Sequence, residues 1–363
     1  MRTPKLAPTR ACVAAVLLIA CGGTPSQEAA RPPIATHAGT STSAPNAPSA
    51  SAPAPIDSAE PTAPPAPTLG SSTAFSATRI FEQEVAFLIT GEQGRLAVLA
   101  KEGAATVPHR FEAGAWKRLD LPEPHRNITD PRKLGIYFGR DNRPRLMGYR
   151  LENNAPKMVY LRHRDGKWQD QRSEIGALAS ESAVLFGVLG EADPEVVCSD
   201  GHTCLIKSRK GWKEIPSTLP TTAVVRAFGL KGYAVTAEGV FRADEKGFTK
   251  LGPPAAWKGP ATGFWVGPDE TIAVAVPSEN TIYVLDAGGN AWRAETSPVT
   301  SPFDVAGPAA SRWIAGGGGL VHREGDAYRR VGDPSWSLDR IIVVGNEVFA
   351  GGRAGVVVAK PAN

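Results

Sequence analysis

The stretch Gly239–Leu251, GVFRADEKGFTKL, and the stretch Gly319–Val331, GLVHREGDAYRRV, align without a gap 80 residues apart. Each runs glycine, a short apolar run, a charged turn, an aromatic, two polar residues and an aliphatic. A chain that repeats a phrase at a fixed distance is built from units that bury their apolar faces against one another. The unit is shorter than that distance. A conspicuous aromatic follows a Gly- or charge-rich turn at Trp116, Trp168, Trp212, Phe248, Trp292 and Tyr328, with spacings of 52, 44, 36, 44 and 36 residues. The mean, about 42, is the length of a four-stranded unit, so the two quoted stretches lie two units apart.

From Phe75 onward, short β-branched or aromatic runs alternate with Gly, Asp, Asn and Pro turns, and helical periodicity is scarce, which reads as all-β. In one unit Val224–Leu230 reads as the inner strand, Tyr233–Ala237 and Val240–Ala243 as the middle hairpin, and Phe248–Leu251 as the outer strand. Similar quartets fall at about 85–121, 134–174, 183–216, 262–296 and 303–332. The last unit, after Trp336, has only three strands, and Phe75–Phe81 is left over. The economical solution makes Phe75–Phe81 its outer strand, which joins the two ends of the chain and removes open sheet edges. The expectation is an all-β, seven-bladed β-propeller, with six or eight blades as alternatives, the aromatics packed between blades. The ring reads as a monomer.

The repeats GYAVTAEGVFRADEKGFTKLG, SRWIAGGGGLVHREGDAYRRVG and NEVFAGGRAGVVVAK resemble those of two-component-regulator propellers. The turns HRDGKW and DAGGNAW are similar to the Asp-box turn of sialidase-like propellers, though they keep only its Asp, Gly and Trp. These resemblances imply propeller architecture and no chemistry.

The N-terminus is organised differently. MRTPKLAPTRACVAAVLLIAC has a basic start and an apolar run from Ala11 to Ala20, too short to span a bilayer and patterned as a secretory leader. Its end, Leu18-Ile19-Ala20-Cys21, resembles the bacterial lipobox. The resemblance implies a diacylglycerol and further acyl chains such as palmitate on Cys21 after cleavage behind Ala20, and Gly22 in place of Asp favours the outer membrane. Residues 22–72 are mostly Ala, Pro, Ser and Thr, too poor in large apolar groups to offset their ordering entropy, and are expected to be a disordered tether. The domains then read as 1–20 leader, 21–73 lipidated cysteine and linker, and 74–363 propeller, with a bacterial cell-envelope location.

Candidate chemistry is sparse. The formal charge of +4 falls to near +1 without Arg2, Lys5 and Arg10, which argues against a nucleic-acid partner. Cys198 and Cys204 flank SDGHT, where Asp200-Gly201 is a hairpin signal, and in an oxidising envelope they are expected to form a disulfide. His202 and these cysteines make an incomplete metal set. His109, His125, His163 and His322 lie in different units without ligand spacing and read as scattered surface histidines. There is no Gly-x-Ser-x-Gly elbow, and Gly316–Gly319 reads as a tight turn between strands. No catalytic set, cofactor or metal site is therefore assigned. Charge is uneven: Arg126–Arg164 has ten Lys/Arg against three acids, and Asp165–Asp200 has eight acids against two bases. This reads either as solvated neighbouring surfaces or as a basic surface around Arg126, Arg132, Lys133, Arg140, Arg143 and Arg145 for an anionic polymer or acidic partner. The loops entering the blades and the middle-hairpin loops share one face, and the candidate ligand residues there are Arg126, Arg132, Lys133, Asn153, Asn154, Asp200, His202, Glu279, Asn280 and Arg353. The expected role is a membrane-anchored binding or scaffolding module for an envelope protein or polysaccharide. The alternative is a glycan-acting hydrolase or lyase with its site in the funnel.

Overall fold

The computed structural model describes residues 69–362, apart from 91–94, 124, 126–133, 140, 153–154, 180–184, 189–195, 200–202, 209–210, 217–223, 229–230, 245, 253–256, 258 and 289–290. These residues form seven four-stranded antiparallel sheets. The chain begins with β1 (Phe75–Phe81). Blade 1 is β2 (Val85–Thr90), β3 (Leu96–Glu102), β4 (Ala105–Glu112) and β5 (Ala115–Arg118). Blade 2 is β6 (Leu134–Phe138), β7 (Pro144–Glu152), β8 (Ala155–Arg164) and β9 (Lys167–Asp170). Blade 3 is β10 (Leu185–Val188), β11 (Val196–Ser199), β12 (Thr203–Ser208) and β13 (Gly211–Pro216). Blade 4 is β14 (Val224–Phe228), β15 (Lys231–Thr236), β16 (Gly239–Asp244) and β17 (Gly247–Gly252). Blade 5 is β18 (Gly263–Val266), β19 (Ile272–Val276), β20 (Thr281–Leu285) and β21 (Trp292–Thr296). Blade 6 is β22 (Thr300–Ala306), β23 (Trp313–Gly317), β24 (Gly319–Glu324) and β25 (Ala327–Val331). Blade 7 is β26 (Leu338–Val344), β27 (Glu347–Gly352) and β28 (Gly355–Pro361), completed by β1 in the order β26-β27-β28-β1.

Each blade touches the next through its first strands: β2 on β6, β7 on β10, β10 on β14, β14 on β18, β18 on β22, β22 on β26, and β26 and β27 back on β2. This closes the ring, and it places β2, β6, β10, β14, β18, β22 and β26 at the centre. Successive side chains of a strand point to opposite sheet faces, so each blade offers one apolar face to each neighbour. The core is accordingly laminated between blades. Tyr233, Val235 and Val240 of blade 4 pack with Phe264, Ile272 and Val274 of blade 5. Ala315 and Leu320 of blade 6 pack with Leu338, Val348 and Val357 of blade 7. The six aromatics that reveal the period all lie on the outermost strand of their blade and pack half-buried against these layers. Among the described residues no helix is long and apolar enough to cross a membrane.

Closure follows the expected route. β1 pairs antiparallel with β28, from Phe75 opposite Pro361 to Phe81 opposite Val356. Its two end rings grip both neighbouring blades. Phe75 stacks edge-on at 4.9 Å from Trp313 and 4.8 Å from His322 of blade 6. Phe81 lies 5.2 Å from His109 and 5.0 Å from Trp116 of blade 1. Gly355, at φ 89°, opens β28 against the carbonyl of Phe81, where a Cβ would collide with that oxygen. Ordered contacts begin earlier than the expected linker boundary. Arg330 N–H donates to Gly70 O at 2.8 Å and Ser72 N–H to Arg330 O at 2.7 Å, so residues 70–72 run beside β25. Residues 1–68, which contain the expected leader, Cys21 and most of the expected tether, lie outside the described residues.

Two surface expectations are corrected. His109 and His322 are 6% and 7% exposed. They alternate in register with apolar neighbours (Val107 and Phe111; Leu320 on β24) and therefore face the inter-blade core. Burial is the main cause that holds both pKa values below the usual histidine range. Arg145, expected on a basic surface, is 4% exposed, with Nη1 donating to Tyr160 Oη at 3.2 Å and Nη2 near Asp141 Oδ1 at 3.5 Å.

Candidate functional site

The first strand of a blade starts at the same end of the ring as its second-to-third-strand turn. This end is the mouth, and the opposite end, with the first-to-second and third-to-fourth turns, is the base. Charged residues within the short inner strands are unusual for a packed sheet, and three of them meet here. Arg226 on β14 sends Nη1 to Phe264 O of β18 at 2.9 Å and to Asp304 Oδ1 of β22 at 2.7 Å. Asp304 Oδ2 accepts Ile341 N–H of β26 at 2.7 Å, and Oδ1 also accepts Val305 N–H at 2.9 Å. One hydrogen-bonded chain thus ties the inner strands of blades 4, 5, 6 and 7. Asp304 is 0% exposed. Burial raises its pKa, opposed by Arg226 and by the two backbone donors. Gly263 makes room for it: a Cβ there would collide with Asp304 Oδ1 and lie 2.5 Å from Phe303 O.

Nearer the mouth is Asp339. On β26 the register passes from Leu338 opposite Gly352 to Arg340 opposite Gly351, so Asp339 is the extra residue of a β-bulge. A bulge re-aims a side chain and is common beside functional sites. Asp339 is exposed, yet its pKa is pushed up to about 7, first by loss of hydration and then by the charge of Asp304, with Glu84 adding and Arg353 opposing. The open surface and the dehydration are compatible in a narrow mouth, where one side meets solvent and protein crowds the rest. Arg353 stands in the β27–β28 turn, next to the bulge partner Gly352, and is exposed. Glu84, just before β2, receives Lys101 Nζ at 2.6 Å. Among the described residues no group of His, Cys, Asp and Glu is arranged to hold a metal ion.

Of the expected ligand-face residues, Glu279, Asn280 and Arg353 fall at mouth-end turns. Glu279 Oε2 accepts Tyr283 Oη–H at 2.6 Å, and burial together with this bond pushes the Tyr283 pKa up to about 12. Asn280, at φ 50°, accepts Ser301 N–H on Oδ1 at 3.0 Å and so braces the blade 5 turn against blade 6. Arg353 alone of these three is beside Asp339. Arg126, Arg132, Lys133, Asn153, Asn154, Asp200 and His202 lie outside the described residues. Cys198 on β11 is directly opposite Cys204 on β12, which is buried. Asp339, Asp304 and Arg226 escaped the sequence reading. The available signal was a charge inside an apolar inner strand: VVRAF, TSPFDVA and SLDRIIVV.

No protein-family model matches the sequence, and no curated protein matches it. Solved structures share the fold. A virginiamycin B lyase from Staphylococcus aureus aligns at 12% identity and a TM-score of 0.58, over 79% of this chain and 99% of that one. YCF48 bound to D1 peptide aligns at 12% and 0.57, over 82% and 100%. The extracellular domain of a protein described as a hybrid two component system from B. thetaiotaomicron aligns at 11% and 0.54, over 78% of this chain and 39% of that one. At these identities the likeness establishes a β-propeller and nothing of its chemistry.

Proposed function

We propose that the chain is an envelope-anchored binding module that holds an envelope protein or polysaccharide at the mouth of blades 6, 7 and 1. The observation that carries this reading is the bulge that brings Asp339 out beside Arg353, above the rigid Asp304–Arg226 brace. A near-neutral carboxyl that exchanges donor and acceptor roles, next to a guanidinium fork, suits polar ligands with mixed donors and acceptors. YCF48, bound to D1 peptide, is a propeller in a binding role. Anchoring rests on the leader and the Leu18-Ile19-Ala20-Cys21 sequence, which support acylation of Cys21 and an outer-membrane location. The opposed Cys198 and Cys204 support the disulfide, since directly opposed antiparallel residues meet its Cα spacing.

A second reading, a glycan-acting hydrolase or lyase, draws on the Asp339 pKa of about 7, suited to general acid–base work; a neighbour of the same fold is a lyase. Glycoside hydrolysis ordinarily needs two working carboxyl groups. Asp304 is held by three hydrogen bonds, which favours binding over turnover. The test is equilibrium binding of envelope polysaccharide fragments and envelope proteins to the chain and to Arg353→Ala and Asp339→Ala. A loss of tenfold or more in both variants, with no loss of stability, supports the binding site. Unchanged binding in both rejects it. Product formation that disappears in Asp339→Asn selects the second reading.

A further inference from the structure

The base of the ring carries different chemistry from the mouth. At blades 1 and 2 it is studded with bases: Arg95 before β3, Arg110 and Lys117 flanking the β4–β5 turn, Arg143 before β7, and Arg164 and Lys167 flanking the β8–β9 turn. The two blades present one continuous field. His163 of blade 2 has its pKa lowered by burial and then by Arg110 and Lys117 of blade 1, so these charges lie within reach of each other across the blade junction. The nearby acids are already engaged: Glu112 with Arg110 at 2.5 Å, Asp165 with Arg164 at 3.2 Å, and Asp141 with Arg145 at 3.5 Å and Arg162 at 3.9 Å. Lys117 and Lys167 are exposed. At blades 5 and 6 the base is internally neutralised. Arg293 bridges Asp286 at 3.2 Å and also Glu295, which in turn receives Arg312 at 2.5 Å.

Ser72 Oγ donates to Glu324, the last residue of β24 at the base, and Ala362 N–H, beyond the base end of β28, donates to Ala74 O at 2.9 Å. The described chain therefore enters the ring from its base.

We propose that the base of blades 1 and 2 docks on an anionic lipid surface, leaving the mouth turned away from it. The bases are spread over two adjacent blades rather than gathered in a cleft, which fits a plane of headgroups better than a single bound anion. They are also at the end where the chain is led in. The proposal rests on the anchoring reading for why such a surface is near; the affinity itself belongs to the ring. Each Lys or Arg close to an anionic bilayer strengthens binding by about fivefold, and salt screens the effect.

The test is co-sedimentation of the chain from position 21 onward, carrying Cys21→Ser so that no acyl group contributes, with phosphatidylcholine vesicles made with and without phosphatidylglycerol. The expected result is salt-sensitive binding to the anionic vesicles alone. Lys117→Glu/Lys167→Glu should weaken it by at least about 25-fold, from two bases at fivefold each. Arg164→Gln should weaken it by about fivefold, and Lys250→Glu, in the mouth-ward half of β17 on blade 4, should leave it unchanged. Equal binding to neutral vesicles, or full binding by both blade 1 and 2 variants with native melting, overturns the proposal. So does complete competition by a soluble anionic polysaccharide at the same salt, which would make the base a polymer site. Mass spectrometry of Cys21 in the envelope tests anchoring separately, so failure of one reading is not mistaken for failure of the other.

Discussion

Arg226 Nη1 lies 2.7 Å from Asp304 Oδ1, although the two residues belong to blades 4 and 6 and are 78 positions apart. The bond passes the inner strand of blade 5, whose Phe264 carbonyl it also takes. Removing one partner of a buried pair leaves an uncompensated charge, a loss of about 3–5 kcal/mol. Arg226→Met is therefore expected to lower unfolding free energy by about that amount at pH 8. Burial already raises the Asp304 pKa and Arg226 opposes that rise, so the loss should shrink on acidification as the orphaned carboxyl takes up a proton. Urea unfolding at pH 8 and in acid checks this; an equal loss at both would contradict it.

Asp339 makes the opposite kind of contribution. Its folded pKa, about 7, lies above the ordinary carboxylate value of 3.8. Between these pH values the folded state keeps a proton that the unfolded chain gives up, so stability falls as pH rises through the window. Asp339→Asn is expected to raise the urea midpoint at pH 8 and to make no difference below about pH 4. A midpoint gain independent of pH would mean that the residue acts through packing.

His109 and His322 are held below 6.5 mainly by burial, partly offset by Glu102 and Glu324. Their folded values are depressed, so the unfolded chain takes up protons first as pH falls and stability drops from about pH 6.5 downward. His109→Phe/His322→Phe is expected to flatten the stability curve between pH 7 and pH 5. The rings contact Phe81 and Phe75, so protease cutting near β1 should rise on acidification in the parent chain and change less in the variant.

The proposed Cys198–Cys204 bridge closes a short hairpin and is expected to contribute roughly 2 kcal/mol on the chain-entropy model. Reductant should lower the unfolding midpoint of the chain and leave Cys198→Ser/Cys204→Ser unaffected. An insensitive parent chain, or free thiols at both positions under oxidising conditions, would remove the bridge.

Much of the architecture was legible because it is periodic. Trp116, Trp168, Trp212, Phe248, Trp292 and Tyr328 each mark an outer strand, and the leftover Phe75–Phe81 pairs where closure requires it. The errors arose where the side of a strand mattered. His109 shares a face with Val107 and Phe111, and that alternation, applied residue by residue, separates it from a surface histidine. Arg145 is harder to read, because its burial depends on Tyr160 and Asp141, supplied by another strand and a turn. The candidate site was the least legible part. Arg226, Asp304 and Asp339 belong to three blades, and only ring curvature and a one-residue bulge bring them together around the centre of the ring.

The sheet shared by β1 and β28 also sets an order of assembly. A chain that emerges N-terminus first offers β1 long before its partner, and the six intervening sheets can form while the circle is still open. Only when residues 355–361 are released does the waiting strand find its place. The circle therefore stays an unlatched arc until Gly355–Pro361 is available to receive β1.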